Sequence, residues 1–100
     1  MVYSVVFTPS ALQDLVEAKS FYGQVDSSLG KYCSDSLLLE VEKLAFFAGI
    51  HPQKFGYYRM LARNFPFSIY YTINDQQVLI SAFIDNRKKL DAILNKLMSL

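Results

Sequence analysis

The order of apolar and polar residues predicts a β-strand near the start of the chain and a helix directly after it. Residues 2–7 are mostly β-branched or aromatic, as is typical of strands. Thr8 and Pro9 follow, and threonine can cap a helix whose first turn accommodates proline. Apolar side chains then recur at helical spacing until Gly23 interrupts them, with polar residues such as Asp14 in between. These apolar positions are Leu12, Leu15, Val16 and Tyr22.

A longer apolar stripe follows the polar link at residues 24–28 and predicts a second helix. Its members recur at steps of four or three residues, and they are Leu29, Cys33, Leu37, Val41, Leu44 and Ala48. Gly49 can take the left-handed conformation that ends a helix, and Pro52 prevents the helix from resuming. Because the link between the two helices is short, we expect an antiparallel helical hairpin.

The hydrophobic period changes to two after the loop at residues 51–56. Three strands are predicted, at residues 57–63, 66–73 and 78–84. Their short connections, including the turn at residues 74–76, predict an antiparallel meander. Strict alternation would place two sets of side chains each on a single face. These sets are Ile69, Tyr71 and Ile73, and Val78, Ile80, Ala82 and Ile84.

Helical spacing returns at the end of the chain, and it completes an α+β pattern. Leu90, Ile93, Leu94 and Leu97 share one helical stripe, and Asp85 or Asn86 is the expected cap. The predicted architecture is an N-terminal strand, an antiparallel helical hairpin, a three-stranded antiparallel meander and a C-terminal helix. With 100 residues, the chain is expected to form a single domain over residues 1–100.

The charge balance and the scarcity of Cys and His limit the possible chemistry. The formal net charge is +1, so any nucleic-acid contact would need a local basic patch. Cys33 is the single cysteine and His51 the single histidine, which gives no internal disulfide and no expected metal site. No leader or membrane-spanning stretch is recognisable. We therefore expect a cytoplasmic protein with no metal, small-molecule cofactor or membrane partner.

Four segments, in this order, resemble the RelE/ParE superfamily of toxins from type II toxin–antitoxin systems. The first two are "FTPSALQDLVEAKSFY" and "SSLGKYCSDSLLLEVEKLAFFAGIHPQKFG", and the last is "VLISAFIDNRKKL". The most specific segment lies between them, "YYRMLARNFPFSIYYTI" at residues 57–73. It resembles the superfamily's arginine-bearing strand, Phe-Pro-aromatic turn and tyrosine-rich strand. The resemblance is closer to ParE than to RelE.

This resemblance implies that the chain arrests growth as the toxin of a plasmid stabilisation system. One branch of the superfamily inhibits DNA gyrase, and the other cleaves messenger RNA on the ribosome. The resemblance also implies a cognate antitoxin whose disordered segment folds on the toxin. We expect the groove for that segment between the helical hairpin and the sheet edge.

The distribution of cations favours gyrase inhibition over RNA cleavage. A ribonuclease needs clustered donors that move protons and stabilise charge at phosphorus. Arg59 and Arg87 match the ribonuclease branch, whereas Leu61 and Ser68 stand where that branch usually has cations. The C-terminal helix also offers no tyrosine. A non-enzymatic gyrase inhibitor is the preferred reading, with a RelE-type messenger-RNA endoribonuclease as the alternative and an inactive antitoxin-binding relative as the second.

Five cations are the candidate target-binding residues. They are Arg59, Arg63, Arg87, Lys88 and Lys89, and Arg59 and Arg87 would be catalytic only in a ribonuclease. Arg59 and Arg63 are expected on one face of a strand, where ordinary solvated charges are the competing explanation.

Several other polar or aromatic residues are expected to be structural. Tyr57, Tyr58, Tyr70 and Tyr71 could stack on bases, but strand tyrosines are more often half-buried core. His51 has no partner at a catalytic spacing. Cys33 lies on the apolar stripe of the second helix and is expected to be a small buried hydrophobe.

Overall fold

The computed structural model describes residues 2–100 and confirms the expected α+β class. The predicted order of strand, helical hairpin, antiparallel meander and C-terminal helix is present. The elements within these residues are β1 (Ser4–Phe7), α1 (Pro9–Gly23), α2 (Ser27–Glu42), α3 (Leu44–Phe47), β2 (Gln53–Lys54), β3 (Tyr57–Leu61), β4 (Phe67–Asn74), β5 (Gln77–Asp85) and α4 (Leu90–Met98).

The strands form one five-stranded sheet in the order β1-β5-β4-β3-β2. The meander β3-β4-β5 is antiparallel, as predicted, and β1 adds to β5 in parallel with Phe7 opposite Ile80. The short strand β2 pairs only with Tyr57 and Tyr58 of β3. Its two residues carry no hydrophobic period, which is why only a loop was predicted there.

The second predicted helix is two helices, which corrects the single helix ending at Gly49. Helix α2 starts at Ser27, where the Asp26 carboxylate accepts the Ser28 N–H at 2.8 Å. At its end the Lys43 N–H reaches the Glu40 carbonyl, three residues back, at 3.3 Å. This tightened turn separates α2 from α3 but keeps the apolar stripe continuous, so the hydrophobic pattern did not reveal it. Gly49 takes a φ of +92° and closes α3 as expected.

A β-bulge in β5 overturns the prediction that Val78, Ile80, Ala82 and Ile84 share one face. Tyr70 lies opposite Ala82 and Tyr71 opposite Ile80, which leaves Ser81 as the extra residue. One extra residue moves all later side chains to the other face of the sheet. Strand β5 therefore contributes to two separate apolar clusters.

The larger cluster lies between the sheet and the helical hairpin, and it includes Val78, Ile80 and Phe83. The smaller cluster lies on the opposite face, beneath α4. It consists of Tyr70, Ala82, Ile84 and Leu97, with Tyr57 and Ile93 packed against it. Ala82 and Ile84 belong to this second cluster because they follow the bulge.

Asp14 is buried, although its place among polar residues of α1 predicted a solvated side chain. Only 7% of it is exposed. Its carboxylate accepts the Phe83 N–H at 3.1 Å and lies 2.6 Å from Lys96 Nζ. Strand β1 pairs with β5 only as far as Ile80, so the edge of β5 at Phe83 has no neighbouring strand. Asp14 supplies the missing acceptor and links α1, β5 and α4.

Helix α4 lacks the predicted cap. It begins at Leu90 after Lys89, whose side chain makes no capping hydrogen bond. Asp85 and Asn86 lie too far upstream to cap it, because the chain makes a turn at residues 86–88 before α4 starts. Their side chains instead contact arginines.

Replacing Gly30 with alanine should destabilise the helical hairpin. A Cβ at this position would lie 2.5 Å from the Lys19 carbonyl oxygen and 2.9 Å from Gly23 Cα, both backbone atoms that cannot move freely. We expect Gly30→Ala to lower the free energy of unfolding by about 1–3 kcal/mol or more, measured by urea titration. Gly23→Ala is the control, because its Cβ meets nothing closer than 4.0 Å. Equal stability of the two variants would contradict this close approach.

Two substitutions of Asp14 separate its hydrogen bond from its charge. Asp14→Ala leaves the buried Phe83 N–H without an acceptor, whereas Asp14→Asn keeps an oxygen for it and loses the ion pair with Lys96. An unsatisfied buried N–H costs about 1–3 kcal/mol, so the alanine variant should be less stable than the asparagine variant by that amount in urea titrations. If the two variants unfolded at the same urea concentration, Asp14 would not be serving the edge of β5.

Candidate target-binding site

Arg59 is held by two neutral side chains from other parts of the fold. Its backbone lies opposite Tyr70, in the middle of β3. Its Nε donates to Ser68 Oγ at 2.9 Å, and its Nη2 donates to Asn86 Oδ1 at 3.4 Å. Ser68 Oγ in turn donates a short hydrogen bond to Asn86 Oδ1. We call these three residues, from β3, β4 and the turn after β5, the Arg59 cluster.

The Arg59 guanidinium has no carboxylate partner. Among residues 2–100, the ion pairs within 4.0 Å join Lys31 to Asp35, Lys43 to Glu40, Arg87 to Asp85, and Lys96 to Asp14. Ser68 is fully buried, and Arg59 itself is partly buried. Hydrogen bonds to neutral oxygens fix the guanidinium without cancelling its charge. The cluster therefore presents an oriented positive charge.

Arg87 is in the opposite situation, because its charge is compensated. Its Nη2 lies 2.5 Å from Asp85 Oδ2, and its Nε donates to Asp85 Oδ1 at 2.9 Å. The hydrogen bond from Arg87 lowers the pKa of Asp85 below its ordinary value. Asp85 also accepts the Arg87 N–H at 2.8 Å, which makes a local turn typical of Asp. Lys88 and Lys89 are exposed in the same segment.

Arg63 does not share a strand face with Arg59, which corrects that prediction. Strand β3 ends at Leu61, and the Ala62 N–H reaches the Phe67 carbonyl at 2.9 Å. This bond closes the β3–β4 connection, so the chain must reverse between the two residues. Arg63 lies exposed in that reversal, where strand alternation no longer sets its direction.

The five candidate cations therefore lie in three places: Arg59 in β3, Arg63 in the reversal after β3, and Arg87, Lys88 and Lys89 in the segment after β5. Asn86 connects Arg59 to the turn that carries Arg87, Lys88 and Lys89. Sequence reasoning missed Asn86 and Asp85 as partners, because both were assigned to capping α4. It noted Ser68 only as a missing cation. Pairing across strands that are distant in sequence brings Arg59, Ser68 and Asn86 together, whereas Asp85 meets Arg87 in a local turn.

A groove of about 460 Å³ lies between the ends of α2 and α3 and the sheet edge at β2 and β3. This is where the groove for a partner segment was expected. Its basic lining residues are Lys43, Lys54, Arg59 and Arg63, and its large apolar ones are Phe47, Ile50, Met60 and Leu61. The acid in its lining, Glu40, lies 3.2 Å from Lys43 Nζ. The groove is therefore basic and apolar.

His51 anchors the wall of this groove to the sheet. Its Nδ1 lies 2.5 Å from the hydroxyl of Tyr71, which also accepts the Gly49 N–H at 2.9 Å. Tyr71 is fully buried and stacks on Tyr58 with ring centroids 5.2 Å apart. Burial lowers the pKa of His51, while nearby Glu40 opposes this effect. These contacts fit the structural role expected for the histidine.

The expectations for the remaining aromatic and thiol groups are confirmed where the structure tests them. Tyr70 and Tyr71 are buried in the core, so neither ring is open to a base. Cys33 is fully buried, and burial raises the pKa of its thiol to about 11. A thiol with this pKa is protonated at neutral pH and is a poor nucleophile.

Two further findings concern metal and membrane binding. Within residues 2–100, three or more His, Cys, Asp or Glu side chains nowhere come together as a group that could hold a metal ion. None of the helices in the same range has both the length and the apolar character needed to span a membrane.

The element order and the sheet topology agree with the α+β fold that the sequence predicted. No protein-family model and no curated protein sequence matches the chain. A solved chain from the chromosomal ParDE TA system of P. aeruginosa has the same fold, with a TM-score of 0.76. The alignment covers 84% of this chain and 96% of that chain at 17% sequence identity. This similarity demonstrates a common fold.

The lowered pKa of His51 predicts a loss of stability on mild acidification. Because burial holds this pKa below its ordinary value of 6.5, the unfolded chain binds a proton more readily than the folded chain. The contribution of His51 to stability is therefore complete above about pH 6.5 and is lost as the pH falls through the lowered pKa. We expect the free energy of unfolding, from urea titrations, to decrease between about pH 7.5 and about pH 5.5.

His51→Gln is the control for this experiment, because His51 is the only histidine and glutamine does not titrate. Its stability should vary less over the same pH interval. Asp26 and Asp85 have lowered pKa values and titrate at more acidic pH, so they do not contribute here. Identical pH profiles for the variant and the wild type would show that the burial of His51 is not responsible.

Proposed function

We propose that the chain is the toxin of a type II toxin–antitoxin pair, which arrests growth by binding DNA gyrase and is neutralised by a cognate antitoxin. The observation that carries this proposal is the oriented, uncompensated charge of Arg59 on a ParE-like fold. A fixed cation at a surface is suited to recognising an acidic group on another macromolecule. In this proposal residues 1–100 act as one domain.

The surroundings of Arg59 support binding rather than RNA cleavage. Cleavage of a phosphodiester needs a proton acceptor, a proton donor and groups that stabilise charge in the transition state. Ser68 is neutral and its hydroxyl is already bonded to Arg59 and Asn86. Arg87 is paired with Asp85, and His51 is bound to Tyr71. The groups that could perform acid–base chemistry here are therefore engaged in structural contacts.

The basic groove supports an antitoxin segment as the second partner. Many large apolar side chains stay exposed on α1, α2 and α3 and in the following loop, and they include Val16, Phe21, Leu39, Phe46, Phe47 and Ile50. Exposed apolar surface beside a polar rim is typical of protein interaction sites. A disordered segment with acidic and apolar residues would match both the charge and the apolar lining, and would gain its order on binding.

The decisive experiment is to express the chain without a partner and determine which synthesis stops first. We expect colony formation to fail, incorporation of labelled thymidine to fall before incorporation of labelled amino acids, and the purified chain to inhibit supercoiling by purified gyrase. Early loss of protein synthesis with cleaved transcripts would instead identify a messenger-RNA endoribonuclease. Normal growth would identify an inactive antitoxin-binding relative.

Arg59 and Arg87 should differ sharply in this experiment. Arg59→Ala removes the oriented charge, and loss of a central charged contact typically weakens binding by about 2 kcal/mol or more, a factor of roughly 30. We expect the concentration of Arg59→Ala needed to inhibit gyrase by half to rise at least that much. Arg87→Ala is the matched control, because Arg87 is exposed and its charge is already paired with Asp85.

Equal loss of inhibition in both arginine variants would argue against Arg59 as the dominant contact. Both variants should first be shown to unfold at the same temperature as the wild type. A variant that melts early would lose activity through its fold, and its inhibition data would not bear on the contact.

A further inference from the structure

The two oxygens that hold Arg59 occupy the place normally taken by a carboxylate. Arginine has five N–H donors, and its Nε–H and one Nη2–H form a fork that accepts two oxygens side by side. Ser68 Oγ lies at Nε and Asn86 Oδ1 at Nη2, and these oxygens contact each other. The geometry is that of a bidentate pair, but both oxygens are neutral.

The remaining three N–H donors of the guanidinium are left for a ligand. Nη1 has both of its hydrogens free, and Nη2 keeps its second one, so these donors form the outer fork of the arginine. The hydrogen bonds of Arg59 within residues 2–100 use only Nε and Nη2 among its side-chain nitrogens. The pair of donors on Nε and Nη2 that Ser68 and Asn86 occupy is the inner fork of the arginine. An internal carboxylate there would have cancelled the charge, whereas Ser68 and Asn86 preserve it.

We propose that Ser68 and Asn86 are positioning residues that aim the outer fork of Arg59 at one carboxylate on an acidic protein partner. The inference rests on the proposed function and deepens it, because it specifies the chemical group that the toxin recognises. A planar guanidinium matches a carboxylate in a bidentate geometry. An arginine fixed before binding loses less conformational freedom when the partner arrives.

The neighbours of Arg59 favour a protein carboxylate over a nucleic-acid backbone. Tyr57, Arg59 and Leu61 alternate with the other residues of β3, so they share one face, and Leu61 is 57% exposed. The cation therefore lies between apolar side chains, which suits a protein surface. Phosphate backbones reward several uncompensated cations in a row, whereas Arg87, which directly follows Asn86 of the cluster, is paired with Asp85.

The critical variant is Asn86→Asp, which supplies the missing internal charge. Asn86 is exposed, so the substitution is compatible with folding, and a carboxylate there would form an ion pair with Arg59. Asn74→Asp is the matched control. It makes the same charge change at an exposed position six residues from Ser68 along β4, about 20 Å away.

The first measurement follows the Arg59 Nε–H signal of the full chain by NMR while sodium acetate is added at constant ionic strength. Acetate should shift this signal in a saturable manner in the wild type and in Asn74→Asp. In Asn86→Asp the affinity for acetate should fall at least ~10-fold, with an unchanged melting temperature or a higher one. This measurement requires neither gyrase nor growth arrest, so it tests the carboxylate site even if the proposed function fails.

The second measurement compares how far the same variants inhibit gyrase. Asn86→Asp should lose inhibition at least ~10-fold relative to Asn74→Asp. Ser68→Ala should have a smaller effect in the same direction and should broaden the Arg59 Nε signal, because the side chain is no longer fixed. A merely structural role for Ser68 and Asn86 would lower the melting temperature of their variants without changing acetate affinity.

Three results would overturn the proposal. The first is an Arg59 signal that does not respond to acetate. The second is a stronger and saturable response to inorganic phosphate or to a single-stranded RNA hexanucleotide, which would identify a nucleic-acid contact instead. The third is full acetate affinity in Asn86→Asp, which would show that the neutrality of the inner fork is irrelevant.

Discussion

The hydrogen bond from the Phe83 N–H to the buried Asp14 carboxylate joins the helical hairpin to the sheet at a point where β5 has no neighbouring strand. Strand β5 has β1 as a neighbour only as far as Ile80, and an open buried strand edge would leave polar groups without partners. Asp14 closes that edge from α1, and it also binds Lys96 of α4 on the far side of the sheet. One carboxylate thus fixes a helix of the hairpin, the central part of β5 and the C-terminal helix.

The bulge at Ser81 lies two residues before Phe83 and determines which side chains of β5 pack on each face of the sheet. Before the bulge, β5 packs its apolar side chains against the helical hairpin, and after it Ala82 and Ile84 pack beneath α4. The strand then continues to Asp85, and Asn86 follows it directly, beside the start of β4 and within reach of Arg59. The Arg59 cluster therefore depends on the path of β5, although β5 contributes none of its own residues to it.

The class of fold was predictable because long apolar stripes and alternating strands depend on local periodicity. The features that the sequence did not reveal break or escape this periodicity. The turn at Lys43 preserves the apolar stripe, β2 is too short to show a period, and the extra residue Ser81 cannot be distinguished in a continuous apolar strand. The same limit applies to the site. Arg59 could be proposed as a contact, but its link to Asn86 spans 27 residues and follows from strand pairing alone.

The two arginines Arg59 and Arg87 end in different electrostatic states, and this difference shows where a functional charge can reside. Arg87 is two residues from Asp85, so a local turn pairs the two side chains in any fold that exposes them. Arg59 obtains its partners only when the β3–β4 pair and the end of β5 are correctly assembled, and those partners are neutral. The completed fold holds the Arg59 guanidinium in one orientation but provides no carboxylate to pair with its charge. Only an anion from another molecule can pair with such a charge. We therefore expect recognition at Arg59 rather than at the more basic segment beside it.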